Sequence, residues 1–164
     1  MPELIQDKTI FSLLEVSRSI QKTLAERYKS LYWIKAEMNK LNHYTHSGHC
    51  YPELVEKQDG KIVAEIRSIL WKADYNRINN NFLKVAQEPL REGITMLFQA
   101  SISYDPMYGL SLRIVDIDPT FTLGELEKEK LDSIRKLKAE GIYESNKLLD
   151  FPVVPKRLAI ISVE

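Results

Sequence analysis

The sequence predicts a mainly β fold with flanking helices, in which a five-stranded Greek-key barrel stands between an N-terminal helix and a C-terminal linker helix. Three observations carry this: repeated runs of apolar–polar alternation, a helical stretch between the third and fourth runs, and turn residues at the joins. With 164 residues, 44% of them apolar, the chain can bury one sizeable core and carry a helical appendage.

Ser12 with Glu15 makes a capping box, and Leu13, Val16, Ile20 and Leu24 then recur at helical spacing, so an amphipathic helix is expected from about Ser12 to Tyr28. From Leu31 the period becomes two. Ile34, Ala36 and Met38 fall on one face, and Trp33, Lys35, Glu37 and Asn39 on the other. Asn42 to His49 is polar, contains Gly48 and reads as a loop before a second strand around Cys50 to Glu56, where Pro52 removes a ladder donor and predicts an irregularity. Gln58-Asp59-Gly60 supplies hairpin chemistry, because Asp-Gly tolerates positive φ. The third strand is read as Lys61 to Lys72, with Ile62, Ala64, Ile66, Ser68 and Leu70 alternating against Val63, Glu65, Arg67, Ile69 and Trp71.

Asp74 to Glu92 then carries Tyr75, Ile78, Phe82, Val85 and Leu90, the pattern of a connecting helix ended by Pro89 and Gly93. Two more alternating runs, Ile94 to Tyr104 and Leu110 to Asp118, are joined by the turn Asp105-Pro106-Met107-Tyr108-Gly109. Three strands, a helix and two strands is the order of the oligonucleotide-binding, or OB, fold. Thr122 with Glu125 marks a second helix start, and Gly141 its end. The run Arg157 to Ser162 is apolar without alternation, as in a strand covered on both sides of a parallel sheet; the expectation is a piece of a longer protein. The domain reading is an N-terminal helical extension over 1–29, the barrel over 30–121, a linker helix and Pro-containing connection over 122–155, and the first strand of a further domain over 156–164.

Composition narrows the function classes. Net charge is formally zero, and between Leu31 and Phe121 ten lysines and arginines face eleven aspartates and glutamates, so affinity for a polyanion must come from arrangement and stacking rather than bulk charge. Glu3, Asp7 and Lys8 interrupt the apolar residues of the N-terminus, and no run approaches the ~18 apolar residues of a membrane span. A cytoplasmic protein without a membrane partner is expected, and the single cysteine, Cys50, agrees with a reducing compartment.

Several separated stretches resemble the large subunit of the bacterial exodeoxyribonuclease VII family. They are Ser12-Leu13-Leu14-Glu15-Val16, Trp33-Ile34-Lys35-Ala36-Glu37-Met38, Gly48-His49-Cys50-Tyr51, Ile66 to Trp71, and Tyr108-Gly109-Leu110-Ser111-Leu112. Further along, Glu140-Gly141-Ile142-Tyr143, Lys147, Pro152, Pro155 and Arg157 to Ser162 are similar to the family's linker and the first strand of its nuclease domain. Two positions depart: Pro52 stands where the family usually has Phe, removing an aromatic that can stack on a base, and Ala36 where it has Gly. The resemblance implies an OB-fold domain that binds single-stranded DNA for an enzyme hydrolysing such strands from their ends to short oligonucleotides. It also implies a small helical partner subunit, engaged through a region beyond residue 164.

Single-strand recognition needs cations for phosphates and exposed rings for bases. The expected contacts are Trp33, Lys35, Lys40, His49, Tyr51, Arg67, Trp71, Tyr108 and Arg113, with His43, Tyr44 and Tyr104 nearby in the loops. Each has a plain structural alternative. Trp33 or Trp71 can equally pack against a helix, and Lys35, Arg67 and Arg113 can equally be solvated surface. His43-x-x-His46-x-x-His49-Cys50 groups four metal-ligand types, but no zinc-site spacing pairs them, so a rim loop is expected and no metal or other cofactor. Glu125, Glu127 and Glu129 with Lys128 and Lys130 read as a solvated ion-pair face. With no phosphate-cradling glycine loop or nucleophile motif, no catalytic residue is expected here, and the chain alone should lack nuclease activity. Two other readings compete: a protein-interaction or dimerisation barrel with little nucleic-acid affinity, and an RNA-binding barrel.

Overall fold

The computed structural model describes residues 3–5 and 8–149, the side chains of residues 3–5 and 146 excepted. The run Arg157 to Ser162 therefore lies outside the described residues. The chain divides into two compact units, 1–126 and 127–164.

The first unit opens with an antiparallel pair, β1 (Glu3–Ile5) and β2 (Lys8–Ile10), too short for periodicity to announce. Helix α1 (Leu13–Arg27) starts at the expected capping box: Glu15 N donates to Ser12 Oγ at 3.2 Å, and Ser12 N to Glu15 Oε2 at 2.9 Å. Its orientation corrects the amphipathic reading. Leu13, Val16 and Ile20 are exposed, Leu24 is half-buried, and the buried residue is Ser17. The helix lies along β8, where Gln21 Nε2 donates to Tyr104 O.

Strand β3 (Tyr32–Lys40) follows the predicted alternation, with Met38 fully buried and Trp33 and Lys35 outside. The expected loop contains a small hairpin, β4 (His43–Tyr44) paired with β5 (His49–Cys50). The second barrel strand, β6 (Glu53–Gln58), begins only after Pro52, the irregularity that proline predicts. Across that gap, Pro52 O accepts from both Ser68 N and Ser68 Oγ, and Cys50 exchanges two backbone bonds with Leu70. Asp59 and Gly60, with φ of 50° and 76°, make the two-residue turn into β7 (Lys61–Ile69).

β7 ends earlier than read. Trp71 is the N-cap of α2 (Lys72–Ala86), and Ile62 and Ala64 are exposed because β7 meets β9 only at Ser68 and Ile69, leaving the β6–β7 tip outside the barrel wall. Helix α2 likewise stops before Pro89, with Gln87 in the left-handed region at φ 59°, and sends Ile78 and Phe82 into the core. β8 (Ile94–Asp105) and β9 (Gly109–Asp118) then complete a closed barrel in the order β3-β6-β7-β9-β8, every pairing antiparallel except β7 with β9. Register shifts at Met38/Lys40, Glu56/Lys57 and Gln99/Ala100 let five strands curl this tightly. Phe98, Met96, Ile94, Ile114, Leu54 and Met38 fill the interior.

Helix α3 (Pro119–Ala139) corrects the second capping box. Asp118 Oδ1 accepts from Thr120 N and Phe121 N with Pro119 in the first helical position, while Thr122 is buried inside the helix, donating to Asp118 O. In the second unit α3 ends as expected at Gly141 (φ 71°): Ile142 N donates to Leu137 O and Gly141 N to Lys138 O, the paired bonds of a Schellman cap. A 3-10 turn, Ser145–Leu148, follows. Among the described residues no helix is long and apolar enough to cross a membrane.

Candidate nucleic-acid interface

The strand registers identify one open outer face. With Ser68, Leu70, Leu112 and Ile114 buried, alternation turns Arg67, Ile69, Ser111 and Arg113 outward. Ile69 is opposite Arg113, Arg113 is opposite Ser101, and Ser103 is opposite Ser111. The floor of the β7-β9-β8 face is thus three serines, one isoleucine and two arginines, small enough for a flat ligand to approach the backbone.

Rings stand at both ends of this floor. At one end Tyr51, 41% exposed, meets Tyr44 edge-on with centroids 5.4 Å apart, and Trp71, 39% exposed, meets His49 edge-on at 4.8 Å. His49 is half-buried and its Nδ1 accepts from Lys72 N at 3.1 Å. At the other end Tyr108 is 77% exposed on a turn held by Asp105 Oδ1, which accepts from Met107 N and Tyr108 N. From Arg113 to Tyr108 is five residues of strand and turn, a span of about 17 Å at strand rise.

The other expected contacts lie elsewhere. β3 is across the barrel from the β7–β9 seam, so Trp33 (52% exposed) and Lys35 sit on the far wall. There Lys35 Nζ is 2.9 Å from Glu125 Oε2 and 5.3 Å from the centre of the Phe121 ring. A cavity of about 360 Å³ on this wall is lined by Lys35, Glu37, Glu56, Lys57 and Glu125 among others, and both its lysines are paired, Lys57 Nζ lying 2.6 Å from Glu37 Oε1. Lys40, at the end of β3, is 3.0 Å from Glu53 Oε2. On the open face Arg113 has a long contact of 4.0 Å to Asp74, which Arg77 also engages at 3.6 Å while bonding Asp116 and Val115 O. Among the described residues Arg67 makes no ion pair, although Glu53 is its cross-strand neighbour.

The histidine-rich segment packs against the start of α2. Among the described residues no three His, Cys, Asp or Glu side chains converge on a common point. His43 lies 4.8 Å from the Tyr75 ring, His49 is engaged as described, and Cys50 is fully buried, its thiol pushed up to about 11 by burial. Burial also raises the Tyr75 hydroxyl, with a further contribution from Cys50.

Sequence reading missed the serine floor and the Asp74–Arg77 brace. Both had signals: serines at 101, 103 and 111 in alternation with Ala100, Ile102 and Leu112, and opposite charges spaced i, i+3 on a helix.

Residues 11–118 match the model of the OB-fold nucleic acid binding domain family. The chain belongs to that family. This OB-fold chain is also similar to proteins named exodeoxyribonuclease 7 large subunit. It is 29% identical over 157 residues to the one from Deinococcus radiodurans, covering 92% of this chain and 37% of the relative. With that from Helicobacter pylori strain HPAG1 it shares 28% over 154 residues, 93% of this chain and 33% of the relative. For Tolumonas auensis the figures are 27% over 146 residues, 88% and 29%. The chain thus spans about a third of the length of the curated relatives it matches.

Proposed function

We propose that this chain is the single-stranded-DNA-binding part of an exodeoxyribonuclease 7 large subunit, taking up an unpaired strand on the β7-β9-β8 face and delivering it to a nuclease domain. The observation that carries the reading is the open serine floor bearing Arg67 and Arg113 between Tyr51 and Trp71 at one end and Tyr108 at the other. Rings accept any base by stacking, each worth ~1–3 kcal/mol, and two cations suffice for the phosphates between them. The long Arg113–Asp74 contact lets the guanidinium turn to a phosphate at little cost. Trp33, Lys35 and Lys40, on other walls, take at most a secondary part.

In this reading the parent protein hydrolyses single-stranded DNA from its ends to short oligonucleotides in the cytoplasm. Its small helical subunit engages a region outside this chain, and the chain alone binds without cutting and needs no cofactor. The paired lysines and zero net charge favour a second reading, a protein-interaction barrel with little affinity for nucleic acid.

Titration of fluorescent oligothymidine with the chain at low ionic strength decides between them. Salt-sensitive binding that weakens in Arg67→Glu with folding intact supports the first reading, and no binding at any ionic strength overturns it. Stronger binding of the matching oligoribonucleotide points instead to an RNA reader.

A further inference from the structure

The β4–β5 hairpin is fastened to the first turn of α2 at several points. The N-cap of that helix, Trp71, offers no side-chain bond to the first amides. His49, from a different element, does: its Nδ1 accepts from Lys72 N at 3.1 Å, while its ring meets the Trp71 ring edge-on at 4.8 Å. One helical turn on, the Tyr75 ring receives His43 at 4.8 Å. Between the two histidines the chain reverses at Gly48, whose φ of 72° favours glycine and whose missing Cβ would meet Lys72 Cδ at 2.8 Å. The hairpin continues directly into Tyr51, whose ring leans on Tyr44.

We propose that His43 and His49 are positioning residues: they clamp the β4–β5 hairpin onto the first turn of α2 and thereby hold Trp71 and Tyr51 in the attitude that stacks on bases. This rests on the reading that the face takes up a polynucleotide, but the clamp itself is measurable without one. Rigid rings bind better because little motion remains to be lost on binding. The role runs through the bond that His49 Nδ1 accepts from Lys72 N and needs no contact between His49 and the strand.

The test uses the whole chain carrying Trp33→Phe, which leaves Trp71 as its one tryptophan. In that background His49→Ala is compared with His49→Asn, whose Oδ1 can stand where Nδ1 stood, and with His43→Ala. Three readouts are taken: hydrogen exchange at the Lys72 amide, fluorescence anisotropy of Trp71, and affinity for oligothymidine. His49→Ala is expected to speed Lys72 exchange at least tenfold, lower the anisotropy and weaken binding about tenfold, the loss of one well-held ring. His49→Asn should restore the exchange protection and most of the affinity, and His43→Ala should loosen Trp71 without exposing the Lys72 amide to the same degree. Unchanged exchange and anisotropy in His49→Ala overturn the clamp. So does equal loss of affinity in Ala and Asn variants with Lys72 protected only in Asn, because His49 would then touch the strand itself. If the parent chain binds no oligothymidine, the binding reading fails, and exchange and anisotropy still judge the clamp.

Discussion

Arg67 and Arg113 differ in what surrounds them, and so in what replacing them should do. Arg67 is exposed and, among the described residues, bound to no carboxylate, so Arg67→Glu should cost no more than about 1 kcal/mol of unfolding free energy, from the new carboxylate facing Glu53, while weakening oligothymidine binding tenfold or more. Paired urea titrations and fluorescence titrations read the two effects separately. Cys50 carries a different prediction. Its folded pKa is raised by burial from 9.0 to about 11, so the folded state keeps a proton that the unfolded chain releases. Whatever stability this group contributes is complete below pH 9 and is lost as pH rises towards 11. Urea midpoints across that window should fall in the parent and fall less in Cys50→Ala, and the native thiol should resist labelling at neutral pH. Sequence marks Cys50 as the one cysteine but not as buried, because its covering comes from partners as distant as Leu70.

Among the elements, α3 is the sharpest case of two start signals competing. The sequence reads Thr122-x-x-Glu125 as the helix opening; in the structure Asp118-Pro119 takes that place, because Asp118 reaches two amides while Pro119 needs none. Asp118→Ala should cost about 1 kcal/mol in urea unfolding, with helix content little changed. α1 shows the complementary case. Its cap and length were legible in Ser12 and Glu15, but its buried face was not, since Leu13, Val16 and Ile20 define a stripe that the barrel leaves uncovered in favour of Ser17. Periodicity reports which residues share a side of a helix, and only tertiary packing decides which side is covered. The end of β7 was obscured for a related reason: Trp71 keeps the strand's alternation while serving as the N-cap of α2.

For the molecule as a whole, the barrel was readable because strand order follows from counting alternating runs, and its core follows from their apolar sides. Phe98, fully buried at the centre of β8, should cost about 3–5 kcal/mol when replaced by alanine, measured by urea unfolding. The candidate face was only half readable. Alternation shows that Trp33 and Arg67 both point outward, but whether two outward residues share a wall depends on how the sheet closes, and that places them on opposite sides. Closure also leaves a thin place. β7 and β9 are joined by only two residue pairs, Ser68 with Leu112 and Ile69 with Arg113, whereas β8 and β9 are matched over nearly their full length. Arg67 stands on one bank of that junction and Arg113 on the other, so a polynucleotide engaging both would act as a suture. Its binding should raise the melting temperature with ligand concentration and slow amide exchange at Ile69 and Leu112 ahead of the rest of the barrel, while Ser68 N, bonded to Pro52 O on the other side of β7, should change less.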